Sequence, residues 1–113
     1  MADEVQPNHT MKLLYTAYAL EKVSEDGGKY LLPGFPTGPN TRQIVPNETV
    51  RLELADGTVF ETKAIRGAYV HLDDSFEMTK RLHQKTGGFH TLVVVPEDLD
   101  IPAIELGVKV YVE

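Results

Sequence analysis

The chain has 113 residues, 17 acidic against 11 basic side chains, four His and no Cys, for a formal net charge of −6. Its 42% hydrophobic and 25% charged fractions are those of an ordinary folded domain. They exclude collagen, a disulfide scaffold and wholesale disorder.

The acidic balance makes nucleic acid an unlikely main partner, because a phosphate backbone demands clustered Lys and Arg. The densest basic cluster is Lys80, Arg81 and Lys85 around His83, which reads as the wet face of a short helix. The longest clean aliphatic run, Leu92-Val93-Val94-Val95, is far short of the ~20 residues a bilayer needs, so no membrane role is expected. Residues 1–10 carry no signal-peptide pattern, and a cytoplasmic location is expected.

Residues 1–10 (MADEVQPNHT) show no period and read as a flexible N-terminal tail. Residues 11–113 read as a single domain. Met11 to Val23 is apolar on both alternating faces, and its two Tyr and Thr16 favour a strand. Ser24 to Gly28 (SEDGG) reads as a turn, and Lys29 to Leu32 as a short return strand. Pro33 to Arg42 holds three Pro and two Gly, which exclude a helix and a central strand alike.

Thr49 to Leu54 alternates, with Val50, Leu52 and Leu54 inward. Asp56-Gly57 then signals a hairpin, with Thr58 to Ile65 returning. A two-residue turn would set Leu52 opposite Glu61 and Glu53 opposite Phe60. A three-residue loop ending at a left-handed Gly57 sets Leu52 opposite Phe60 and Arg51 opposite Glu61. The second register matches apolar with apolar and opposite charges, and is the one expected.

Gly67 reads as a break before a strand at Ala68 to Leu72. Asp74 and Glu77 form a capping-box pattern for a short helix at about 75–86, ended by Gly87-Gly88. The continuous apolar run of Phe89 to Val95 predicts a strand buried on both faces. Pro96 to Pro102 is a turn, and Val108 to Val112 a last strand. Six or seven short strands and one short helix predict an all-β fold, a small closed β-barrel of mostly antiparallel strands.

Catalytic patterns are scarce. The two Ser, Ser24 and Ser75, sit at turn or cap positions, and no nucleophile elbow occurs. His71, His83 and His90 could converge on a metal, but their spacing matches no metal motif, and three independent His are the simpler reading. Asp73-Asp74 and Glu97-Asp98-x-Asp100 lack the order of a calcium loop. No glycine-rich phosphate loop opens a helix. No catalytic residue, metal or cofactor is therefore expected.

Several stretches resemble the translation-factor β-barrel, the second domain of elongation factor Tu. They are Val50 to Leu54 with its hairpin, Ala64-Ile65-Arg66-Gly67, Phe76 to Leu82, Gly87-Gly88 with Leu92 to Val95, Asp98 to Pro102, and Leu106-Gly107-Val108. The resemblance covers about residues 48–112 and implies a closed barrel of six or seven strands. Because fold similarity does not carry function, it assigns no site residues.

The first functional expectation is a stand-alone, non-catalytic binding module that contacts another protein. Its stiff loop at 32–42 would present Phe35 and Arg42 as binding residues, since a rigid loop loses little entropy on binding. The structural alternative for that loop is that Phe35 plugs the barrel end. The second expectation is a small-ligand or enzymatic barrel with a pocket at its mouth near Tyr15, Tyr18, Tyr69 and His71. The third is a homo-oligomer formed through an edge strand, Val108 to Val112.

Overall fold

The computed structural model describes residues 11–22, 27–39, 42–72 and 88–113. The expected tail at 1–10, the short helix at 75–86 with its cap, the basic cluster, His83 and most of the 24–28 turn lie outside them.

The described residues are all-β. The strands are β1 (Lys12–Ala17), β2 (Ala19–Lys22), β3 (Gly28–Leu32), β4 (Phe35–Pro36), β5 (Thr49–Glu53), β6 (Val59–Lys63), β7 (Arg66–His71), β8 (Phe89–Pro96) and β9 (Val108–Val112). Among the described residues a 3-10 turn, Ile104–Leu106, precedes β9. No helix among the described residues is long and apolar enough to cross a membrane.

The strands form two antiparallel sheets. One has the order β1-β9-β5-β6. In the other, β2 pairs β3, while β8 takes β3 and β4 on one side and β7 on the other. Neither sheet closes on itself, so the pairing is that of two open sheets where a closed barrel was expected. Two chain segments pass between the sheets. The segment 12–22 bends at Tyr18, whose N–H donates to Leu32 O at 2.8 Å. The segment 59–71 bends at Ala64-Ile65, whose N–H groups donate to Glu48 O on one side and Val94 O on the other. Such bent strands are how sheets crossing at a steep angle share a corner.

The hairpin takes the three-residue register. Leu52 lies opposite Phe60, and Arg51 opposite Glu61 with an ion pair of 3.0 Å. Gly57 has φ +91° and lies in open space, as the turn requires. Asp56 Oδ1 accepts the Thr58 N–H at 2.9 Å, and this bond holds the exposed carboxyl below its ordinary range.

Three expectations need correction. Gly67 does not break a strand: β7 runs through it, because a Cβ there would sit 2.8 Å from Ile44 Cβ and only glycine lets Ile44 pack so close. The 33–42 stretch is not wholly loop: Phe35 and Pro36 pair with Thr91 and His90 of β8. Between Tyr30↔Val94 and Phe35↔Thr91, four residues of one chain face two of the other, and the extra length is taken up at the buried Pro33-Gly34, where Gly34 packs against Thr91. Last, β9 is not an edge strand. It lies between β1 and β5, which removes Val108 to Val112 as a self-association edge.

The core gathers Val50, Leu52, Val108 and Val110 from one sheet and Leu31, Leu92, Val93 and Val95 from the other, all fully buried. Each such side chain contributes about 1.5–3 kcal/mol on burial. The prediction that β8 is buried on both faces holds, since Leu92 to Val95 are consecutive and all inaccessible. Tyr15 ties the sheets together. From β1 its hydroxyl donates to Leu31 O at 2.8 Å and accepts the Val93 N–H at 3.1 Å. Burial raises its pKa, so the group stays neutral.

A candidate binding groove

A groove of about 540 Å³ lies between residues 37–39 with 42–44 on one side and β7 on the other. One wall carries Thr37, Arg42 and Ile44. The other is Arg66, Gly67, Ala68 and Tyr69, with Thr91 of β8 at the base.

The first wall is held from several sides. Arg42 Nη1 and Nη2 meet the Glu48 carboxylate at 3.1 and 2.6 Å, and Nη2 also donates to Glu113 O at 2.9 Å. Glu48 further accepts the Val45 N–H at 2.6 Å. The guanidinium holds the Glu48 carboxyl below its ordinary range, and the carboxylate in turn raises the Arg42 pKa. Thr37 Oγ1 lies 2.7 Å from Thr91 Oγ1, fastening the loop to β8.

Beside the groove lies an aromatic surface. Tyr69 and Phe89 stack with centroids 4.7 Å apart and planes 3° apart, although they are 63% and 48% exposed. His71 meets the Phe89 ring edge-on at 5.1 Å. Tyr69, His71, Phe89 and Thr91 share one sheet face, since Tyr69 pairs Thr91 and His71 pairs Phe89.

The residues singled out from sequence separate here. Arg42 lines the groove. Phe35, from the same loop, is half-buried, packs against the core and meets the Tyr15 ring at 5.9 Å. Tyr15, Tyr18, Tyr69 and His71 do not form one mouth: Tyr15 is buried between the sheets, and Tyr18 packs beside Gly107. His71 and His90 point to opposite faces of the sheet, because they are adjacent on the β7–β8 ladder, His71 pairing Phe89 and His90 pairing Val70. His90 is 1% exposed, with Nδ1 3.0 Å from Pro33 O. Among the described residues no three metal-ligating side chains gather.

Sequence reasoning missed Phe89, Arg66 and the Thr pair. The available signal was the alternation of β7, where Tyr69 and His71 occupy the outward positions and Val70 and Leu72 the inner ones. Two aromatic rings on the wet side of a strand mark a surface that does more than face water.

No protein-family model matches the chain, and neither a curated protein nor a solved structure matches it.

Proposed function

We propose that the chain is a non-catalytic module that binds another protein through the β7 groove and the adjoining aromatic surface. One observation carries this reading: Tyr69 and Phe89 stack face to face while both rings are largely exposed. Tyr and Arg dominate the strongest contacts of protein interfaces, and a preformed ring pair loses little freedom on contact. Arg42 braces the far wall, and Phe35 anchors the start of the same loop to the core.

The translation-factor-like barrel belongs to the same reading. Segments 12–22 and 59–71 each pair with one sheet along their first half and with the other along their second. This sharing supports closure of the two sheets into one barrel, with the groove on its outer wall.

The test places a photoreactive phenylalanine analogue at Tyr69 and, as a control, at Leu13, which is exposed on the other sheet. The reading predicts discrete protein adducts in cell extract from position 69 alone. Equal labelling from both positions, or none from position 69, contradicts it.

A further inference from the structure

The hairpin between β5 and β6 carries an Asp-Gly pair, Asp56-Gly57, at its turn. In an unfolded chain such a pair is reactive. The Gly57 nitrogen attacks the Asp56 Cγ and water leaves, closing a succinimide ring. Water then opens the ring at either carbonyl. Opening at the former Asp56 main-chain carbonyl leaves isoaspartate, with the backbone routed through the side chain and no net change in mass. Glycine favours closure because it sets no side chain beside the attacking nitrogen.

The turn opposes each requirement of that closure. The nucleophile is engaged, since the Gly57 N–H donates to Leu54 O at 2.9 Å. The electrophile is engaged beyond Gly57, where Asp56 Oδ1 accepts the Thr58 N–H at 2.9 Å. The Thr58 N–H, and its hydroxyl after it, favour the ionised carboxyl. That form is the unreactive one, because closure expels water only from the protonated acid. The Leu54 N–H donates to Thr58 O at 2.8 Å and shuts the turn beneath both. A Cβ on Gly57 would meet nothing within 4 Å, so hydrogen bonds rather than crowding hold the site.

We propose that Asp56-Gly57 is a gated isomerisation site, silent while β5 and β6 are paired and reactive once the hairpin opens. The consequence reaches the sheet. Isoaspartate adds a backbone atom to the loop that sets Leu52 opposite Phe60 and Arg51 opposite Glu61. A chain that isomerises while open cannot regain that register unchanged, so the modification marks molecules whose hairpin has been open.

The test holds the folded full chain at neutral pH in water enriched in heavy oxygen, beside an end-blocked peptide of residues 54–58 that is too short to form the hairpin. Each closure and reopening leaves one heavy oxygen at position 56, which mass analysis of the digested chain counts. Uptake in the folded chain should be at least about tenfold slower than in the peptide, the equivalent of the two hydrogen bonds that closure must break. Thr58→Pro removes the N–H and the hydroxyl together, and should raise uptake several-fold in the folded variant. Equal uptake in the folded chain and the peptide overturns the gate. Unchanged uptake in folded Thr58→Pro overturns the part given to Thr58. The first comparison uses the chain as it stands, so it decides even where that variant does not fold.

Discussion

The Tyr69 ring lies parallel to that of Phe89, 4.7 Å away, where β7 and β8 meet at the surface. Exposed rings stacked in this way gain about 0.5–1.5 kcal/mol from each other beyond burial. Tyr69→Ala should therefore lower stability by no more than about that amount. Its effect on partner binding should be larger, on the order of 2 kcal/mol, as for an aromatic anchor. Competition of the variant with the parent chain for the proteins labelled from position 69, beside a thermal melt, checks both numbers. A large melting shift with unchanged affinity would assign Tyr69 to folding.

Tyr15→Phe keeps the ring and deletes the hydroxyl that bridges the sheets. The Val93 N–H then loses its buried acceptor, which costs about 1–3 kcal/mol. Urea unfolding should show a lower midpoint at constant slope. An unchanged midpoint would mean that the sheets do not depend on this bridge.

The fold was legible where neighbours in sequence decide it. The hairpin register could be read because Leu52 needed an apolar partner and Arg51 an acid, and one register supplied both. Burial of β8 on both faces was legible from its unbroken valines. The order of strands was not, because β3, β4 and β7 all converge on β8 from distant parts of the chain. The groove was hidden for the same reason. Arg42 was visible as a loop residue, but its facing wall comes from Arg66 to Tyr69, and only folding brings them together. Gly67 misled because a glycine in a strand reads as a break until Ile44 is known to rest on it.

Gly67→Ala tests that contact. The added methyl would lie 2.8 Å from Ile44 Cβ and 3.2 Å from its Cγ1, so the loop wall must shift. Overpacking of this kind costs about 1–3 kcal/mol. A lower melting temperature is the expected result, with altered amide shifts confined to residues 42–48 and β7. An unchanged melt would mean the loop yields freely.

The Arg42–Glu48 pair makes loop anchoring depend on pH. Glu48 is 14% exposed and Arg42 36%, and the guanidinium holds the carboxyl below the ordinary glutamate value of 4.5. A carboxyl depressed in the folded state stabilises it fully above the unfolded value. That contribution is lost as pH falls below 4.5 through the folded value. Glu48→Gln should thus lower stability at neutral pH and flatten its decline on acidification. Chemical unfolding at pH 7, 5 and 3 measures this, and parallel curves for the two proteins would remove Glu48 from the account.

Residue-by-residue hydrogen exchange of the unliganded protein tests the exposure of the β7 wall most directly. Ala68 and Val70, bonded into the β8 ladder, should exchange slowly, while Tyr69 between them exchanges at close to the rate of an unstructured amide. Protection of Tyr69 equal to that of its two neighbours would mean that the Tyr69 backbone is covered, and would contradict an exposed β7 wall.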